Sequence, residues 1–440
     1  MKTLRLAAIL LRPSRQGLGV ILLPAVAFAV VTALLGATLG GARAFWTWTI
    51  ADAMLYQFLA IIALVLLAVP LFTLGGAAAR LSARRRDARL ASLRLLGATS
   101  GMVVALAVIE ATVIALAGAI VGALGGLASG PLIGLIHFNG APLGTAAHLP
   151  LLWAGILVIA VTLLAAISAL AGMGRVIVTP LGVARRESAG RARGVVAIVG
   201  VALLIGATYV SSTFMGAAAT VGFAIVVVVI GGGIAVSMLV LGLVGSWLLG
   251  VIARRQVRSA STPAHLLAAR AVLESPQAAW RQVGGVALIV FVGVIAGTGA
   301  SIAGLAAADP SAALLASDIS TGVLITIVGA FLTVACTVGV QQAAHILDAR
   351  ERYQSLHRAG MDIATMDAAR RRAVAMPLLV AVIGSAAAAG TVAIPLVGIT
   401  LVTQPLTLLV LVVTIAAGVT LTIAGLLTTR PLLRRVAVAA

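Results

Sequence analysis

The chain has 440 residues, of which 62% are hydrophobic and only 9% are charged, and its mean hydropathy is +1.20. Water-soluble domains carry about 25% charged residues, so this composition excludes a soluble enzyme of this length. The 30 Lys and Arg residues outnumber the 11 Asp and Glu residues, but they lie between long apolar runs. That arrangement is typical of basic cytoplasmic loops in a membrane protein and not of a nucleic-acid-binding surface.

Two rare residue types exclude further classes of chemistry. Lys2 is the only lysine in the sequence and has no glycine-rich context, so a P-loop that hydrolyses ATP is excluded. Cys336 is the only cysteine, which excludes a disulfide framework and a cysteine-based metal site. The sequence therefore predicts a chain that is not an enzyme and that holds no metal or cofactor of its own.

One bilayer crossing needs a helix of about 20 apolar residues. Apolar runs of about this length occur repeatedly along the chain. They lie at 18–40, 53–78, 101–127, 150–172, 194–214, 218–250, 283–305, 320–344, 374–399 and 405–428. The pattern predicts an all-α integral membrane protein with ten transmembrane helices. We interpret the first run as a span and not as a signal peptide, because no small-residue cleavage site follows it.

The basic residues predict the orientation of these spans. Apart from Arg43, every Lys and Arg falls in the tails or in connections that the positive-inside rule assigns to the cytoplasm. With an even number of spans, both termini are then cytoplasmic. We expect a multi-pass protein of the plasma (inner) membrane that contacts membrane lipids and no nucleic acid.

The connections predicted to lie outside are 41–52, 128–149 and 306–319. Phe45, Trp46 and Trp48 in the first of them indicate an interfacial aromatic belt. His137 and His148 in the second are interpreted as surface groups and not as metal ligands. All three connections are short, so no large extracellular domain is expected.

Two basic connections, 79–99 and 344–362, resemble one another. A shift of 263 residues superposes Arg89 on Arg352, Ser92 on Ser355, Leu93 on Leu356 and Gly97 on Gly360. In both segments a charged helix is predicted to leave the membrane, meet a Leu-x-x-x-Gly step and return to the membrane.

The same shift relates the first and second spans to the seventh and eighth. An even number of spans separates equivalent helices, so the two repeats are parallel and not inverted. The sequence therefore predicts two four-helix units, 1–178 and 283–440, with a central helix pair in 179–282.

The first basic segment resembles the signature of FtsX-like permeases of the MacB-type ABC transporter superfamily. Residues 84–99 read Arg-Arg-Arg-Asp-Ala-Arg-Leu-Ala-Ser-Leu-Arg-Leu-Leu-Gly-Ala-Thr, and Glu110 matches a glutamate in the span that follows the signature. The second segment, with Arg370-Arg-Arg-Ala-Val-Ala-Met-Pro-Leu-Leu after it, resembles the C-terminal half of ten-span, bacitracin-exporter-type permeases. This sequence departs from the family pattern in two ways. The second copy lacks an equivalent of Glu110, and the large extracellular domain typical of these exporters is missing.

This resemblance implies that each charged helix docks in a groove of a separate ABC ATPase, present in two copies, which holds the ATP and Mg²⁺. Leucines at three-residue spacing offer apolar anchors for such a groove, and glycine lets each helix end. The same pattern also fits an amphipathic helix that lies on anionic lipid. The implied coupling residues are Arg85, Arg86, Arg89, Leu93, Leu96 and Gly97 in the first segment, and Arg352, Leu356 and Gly360 in the second.

The implied function is that of a permease subunit that couples ATP hydrolysis to extrusion of an amphiphilic substrate (lipid, peptide or drug) or to mechanotransmission. One alternative is a non-transporting regulatory subunit that acts on a sensor kinase or a cell-wall hydrolase, with a kinase or an extracellular protein as partner. A second alternative is a secondary carrier that uses Glu110, the only carboxylate deep within a predicted span. Since no further acid or histidine is expected there, a packing or hydrogen-bonding role is favoured for Glu110.

Overall fold

The computed structural model describes residues 18–50, 52–85, 100–177, 206, 223–306, 310–392 and 405–438. The helices are α1 (Leu18–Ala44), α2 (Ala53–Arg85), α3 (Ser100–Ala128), α4 (Gly130–Gly134), α5 (Leu151–Ile177), α6 (Phe223–Ser259), α7 (Pro263–Glu274), α8 (Pro276–Ala306), α9 (Pro310–Asp348), α10 (Arg350–Arg358), α11 (Ile363–Val392), α12 (Pro405–Gly425) and α13 (Arg430–Val438). The strands β1 (His137–Phe138) and β2 (Ala141–Pro142) form an antiparallel hairpin. Short 3₁₀ turns cover Phe45–Thr47, Gly144–Ala147 and Leu426–Thr429.

Within the described residues, eight helical stretches are long and apolar enough to cross a membrane. They are Leu22–Thr47, Val108–Ala128, Gly144–Ala171, Val240–Ser259, Pro276–Thr298, Ala313–Leu347, Ile363–Thr391 and Leu408–Val438. A shorter apolar stretch, Ala53–Ala68, begins α2, where the second span was predicted. The predicted class, a mostly helical multi-pass membrane protein, is confirmed. The span predicted at 194–214 lies outside the described residues except for Gly206, so the number ten stays a prediction.

By its internal contacts the chain divides into two compact units. The first contains α1 to α5 with the hairpin, α9 from Gly329 onward, α10 and α13. The second contains α6 to α8, α9 as far as Val328, α11 from Ala364 onward and most of α12.

In the first unit, α3 packs against both α1 and α5, and α2 packs against α5. Three glycines at four-residue spacing, Gly118, Gly122 and Gly126, give α3 a row without side chains where it meets α1. A Cβ added to Gly118 would lie 2.5 Å from the carbonyl oxygen of Ala25. Small residues in such a row let two helix backbones approach closely, which is a main source of helix association in a bilayer.

The end of this bundle where α1 finishes is closed by a small cap built from residues 45–56 and 129–150. Asn139 and Gly140 form its hairpin turn with positive φ angles of 53° and 74°, as a type I′ turn requires. Phe138 then packs edge-on to Phe45, with ring centroids 5.3 Å apart. Phe45 also contacts the ring of Tyr56 and is buried in an aromatic cluster, so the interfacial belt stays a prediction. Trp46 is 52% exposed and fits the belt.

In the second unit, α6 packs against α7 and α8. A Cβ added to Gly245 of α6 would overlap the indole ring of Trp280 on α8, so glycine at this position makes room for that ring. The connection between α6 and α8 contains α7. Thr262 caps the first turn of α7, because its hydroxyl accepts a hydrogen bond from the N–H of His265 at 3.4 Å. Ala268, Ala269 and Val272 form the buried side of α7.

The predicted external loop 306–319 is shorter than expected because α9 begins at Pro310. Proline is favoured in the first turn of a helix, where its missing N–H needs no partner. As a result Asp318 lies inside the candidate span Ala313–Leu347 and is only 6% exposed. Buried carboxylates therefore also occur in helices outside the spans predicted from the sequence, and the role of Glu110 stays a prediction.

Candidate coupling site

The first predicted coupling segment follows α2. Arg85 is the last residue of that helix, and α3 begins at Ser100. The other five residues predicted here lie in 86–99, outside the described residues: Arg86, Arg89, Leu93, Leu96 and Gly97. Their assignment stays a prediction.

The second predicted coupling segment is described in full. α9 ends at Asp348, and α10 follows after Ala349. Helical hydrogen bonding continues through this junction, since the N–H of Ala349 donates to His345 O at 3.0 Å and the N–H of Tyr353 donates to Ala349 O at 3.0 Å. The charged helix expected from the sequence is present: it has nine residues and follows the long apolar helix α9 directly.

The Leu-x-x-x-Gly step forms the C-terminal cap of α10. The N–H of Met361 donates to the carbonyl of Leu356 at 3.0 Å, and the N–H of Gly360 donates to the carbonyl of His357 at 2.9 Å. Gly360 has a φ of 87°. These two bonds and the left-handed glycine define a Schellman motif, in which leucine is the third residue from the helix end and glycine follows the cap residue. The spacing of Leu356 and Gly360 is thus fixed by the geometry of the helix end.

Substituting Gly360 should strain this turn without creating a clash, because a Cβ at this position would meet no atom within 4 Å. A left-handed backbone costs an L-residue about 1–2 kcal/mol, and a β-branched side chain suffers most. We expect Gly360→Val to lower the free energy of unfolding more than Gly360→Asn, since asparagine tolerates this conformation. Thermal unfolding of the purified variants measures the order, and a valine variant as stable as the wild type would contradict it.

The surface of α10 is mostly charged. Arg350, Glu351, Arg352 and Arg358 are exposed, whereas Tyr353 is only 9% exposed. Leu356, predicted as an apolar anchor for a partner, is half-buried. The structure therefore places Arg352, Leu356 and Gly360 on one short helix and its turn, with Leu356 only partly available to a partner.

The helix α13 packs against α10 and was not predicted. Its Leu433 and Ala437 are fully buried and Val436 is 7% exposed, while Arg434 and Arg435 are exposed. Apolar residues at three- and four-residue spacing with arginines between them are the sequence signal that identifies such a helix. A short amphipathic helix is easily taken for a charged tail when it follows a span directly.

Glu110 lies in α3 and is 4% exposed. It occupies the same row of α3 as Gly118 and Gly122, whose missing side chains leave room for α1. Its burial shows that Glu110 faces another part of the protein and not the surface.

A buried ion pair lies near the start of α11. Arg370 Nη2 is 2.7 Å from Asp367 Oδ1, and both side chains are 2% exposed. The more exposed Arg371 places its Nε 3.3 Å from Asp367 Oδ2. The sequence analysis assigned these arginines to a cytoplasmic connection, and the structure places them in a helix. The buried charge of Arg370 is paired with the carboxylate of Asp367 one turn earlier, as a buried charge requires.

Among the described residues, no group of three or more His, Cys, Asp and Glu side chains lies close enough to hold a metal ion. His137 and His148 are both exposed in the cap.

Residues 79–177 match the family model of the FtsX-like permease C-terminal domain. No curated protein and no solved structure matches the chain. The matched residues begin near the end of α2, include the first basic segment and Glu110, and continue to the last residue of α5. This part of the chain is therefore similar to the FtsX-like permease C-terminal domain.

Proposed function

We propose that this protein is the membrane subunit of an ABC transporter, driven by two copies of a separate ABC ATPase that hold the ATP and Mg²⁺. The observation that carries the proposal is the match of residues 79–177 to the FtsX-like permease domain, since such permeases work with ABC ATPases. In this proposal the chain itself is not an enzyme, and ATP hydrolysis takes place on the separate ATPase.

We place the ATPase contacts at the two basic segments. In the first, the contact residues are Arg85, Arg86, Arg89, Leu93, Leu96 and Gly97; in the second they are Arg352, Leu356 and Gly360. The form of α10 supports this assignment, because a short charged helix at the end of the long α9 transmits a push on its surface directly to a spanning helix. ATP-driven closure of an ATPase dimer would move both segments and the spans attached to them.

The proposed architecture is ten spans in two parallel four-helix repeats, 1–178 and 283–440, around a central pair in 179–282. The long helices support it: α2 and α3 flank the first basic segment, and α9 and α11 flank the second. Buried positions support it as well, since the shift places Phe28 on Phe291, and both are fully buried.

The glycine row of α3 also has an equivalent under this shift. Gly118, Gly122 and Gly126 fall on Ala381, Ser385 and Ala389, three small residues of α11 that are fully buried. Small residues at four-residue spacing in both helices favour a common packing mode for the two repeats.

For the substrate we propose an amphiphile (a lipid, peptide or drug) that is extruded from the membrane, or the transmission of force to an external partner. The described connection between α3 and α5 supports a membrane-derived substrate, because it consists of the small cap alone. We propose a packing or hydrogen-bonding role for Glu110, because it is buried within α3.

The test of this function is ATP turnover in proteoliposomes. The purified chain alone should not hydrolyse ATP, and Lys2→Ala should change nothing, whereas the chain reconstituted with its ABC ATPase should hydrolyse ATP faster when an amphiphilic substrate is added. Hydrolysis by the chain alone, or a complex whose turnover no amphiphile alters, would contradict the proposal.

We also expect both termini and both basic segments to face the cytoplasm, because of the distribution of Lys and Arg. In a Cys336→Ser background, a membrane-impermeant maleimide added to intact cells should leave the exposed position of Ser355→Cys unlabelled until the cells are opened. Thr145→Cys in the cap should react at once. Efficient labelling of Ser355→Cys in intact cells would contradict this orientation.

A further inference from the structure

The apolar side of α13 is already covered by the protein. Leu433, Val436 and Ala437 are buried, and α13 packs against α10 in the same compact unit. An amphipathic helix that binds a membrane surface inserts its apolar side chains between lipids. That side of α13 is not available to lipid.

Most of the remaining exposed surface of the two helices is basic, although Pro431 and Val438 of α13 are exposed as well. Arg350 and Arg358 are exposed on α10, and Arg434 and Arg435 are exposed on α13. The exposed carboxylate on these helices is Glu351, and α13 contains no acidic residue. None of the large apolar side chains of α10 is exposed, so this helix also lacks the groups that would hold it in a lipid interface.

We propose that α10 and α13 together form one basic docking surface for an acidic face of the ABC ATPase. The inference rests on the proposed function and extends the contact from one helix to two. Charge complementarity selects a protein partner with exposed Asp and Glu side chains, and the covered apolar faces argue against lipid. Because α13 supports α10 from one side, a partner that binds both helices also holds their relative position.

Among the described residues, α13 has no separate counterpart under the repeat. The shift of 263 residues places α13 on residues 167–175, which lie inside the continuous helix α5.

The test is the affinity of the full-length chain for the ABC ATPase isolated from the wild-type complex, measured in nanodiscs of neutral phosphatidylcholine. Arg434→Glu with Arg435→Glu reverses the exposed charge and leaves the buried side of α13 unchanged. We expect about tenfold weaker binding, with a reduced salt dependence, and an unchanged thermal unfolding temperature. The matched control is Arg254→Glu with Arg255→Glu at the end of α6, where both arginines are also exposed, and it should bind like the wild type.

Equal weakening in the control would assign the effect to total charge and overturn the proposal. The Arg434→Glu, Arg435→Glu variant could also bind the ATPase normally in neutral nanodiscs and show a defect only in discs that contain anionic lipid. That result would assign the arginines to lipid headgroups and would overturn the proposal too. If the wild-type chain binds the ABC ATPase and the Arg434→Glu, Arg435→Glu variant binds it equally tightly, the two-helix docking surface is overturned and the proposed function is not. A wild-type chain that binds no ABC ATPase overturns the proposed function together with it.

Discussion

A Gly122→Leu variant is expected to accumulate poorly in the membrane and to unfold at a lower temperature than the wild-type chain. A Cβ at this position would overlap the carbonyl oxygen of Ala29 and lie 2.7 Å from Thr32 Cβ. These are atoms of the facing helix α1 at or next to its backbone, so they cannot move aside as the end of a flexible side chain would. Overpacking a well-packed site costs about 1–3 kcal/mol, and obstruction by backbone favours the upper end of that range.

Gly155→Leu is the matched control for this experiment. Gly155 lies in the spanning helix α5, is exposed, and would bring an added Cβ within 4 Å of no atom. The substitution adds the same side chain to a membrane helix, so it should leave the unfolding temperature near that of the wild type. If both variants unfold alike in detergent, the close contact between α1 and α3 does not hold the first unit together.

Replacing Leu93 and Leu96 by aspartate is expected to remove the ABC ATPase from the complex. Each leucine that is buried in a partner groove stabilises the complex by about 1.5–3 kcal/mol, and the change also places two carboxylates in the contact. The chain should still insert, because the segment is predicted to lie outside the membrane. Leu356→Asp should act in the same direction at the second segment and more weakly, since Leu356 is already half-buried.

The control for this pair is Leu266→Asp, which makes the same change at a leucine of α7 that is 38% exposed. It should leave ATPase binding and ATP turnover unchanged. A Leu93→Asp, Leu96→Asp variant that keeps its ATPase and its full turnover would show that the first segment is a lipid-facing helix and not a coupling element.

Much of the fold is predictable from the sequence because a bilayer demands long uninterrupted apolar helices. For this reason the predicted span 101–127 falls within α3, and the predicted span 150–172 coincides with α5 from Leu151 onward. Helix ends are harder to predict, since the apolar pattern changes little there: α9 begins at Pro310, so the acid Asp318 lies in a span and not in a loop. The hairpin in the cap was predictable from Asn139-Gly140, a pair that favours a type I′ turn.

The candidate site was predictable to the extent that its residues follow a local rule. Gly360 was identified because a helix end needs a glycine at a fixed distance from its last turn, and the structure has it there with a positive φ. The burial of Tyr353 and the packing of α13 on α10 depend on contacts between distant parts of the chain. No periodicity within a single segment encodes such contacts.

The central claim is that this chain is a permease that works with a separate ATPase, and the most direct test is the mass of the complex that it forms. The tagged chain would be extracted from its native membrane in mild detergent and its intact complex weighed by native mass spectrometry. The predicted mass is that of one 44.0 kDa chain together with two copies of an ABC ATPase. A chain that is recovered alone, or with partners that have no nucleotide-binding subunit among them, would contradict the claim.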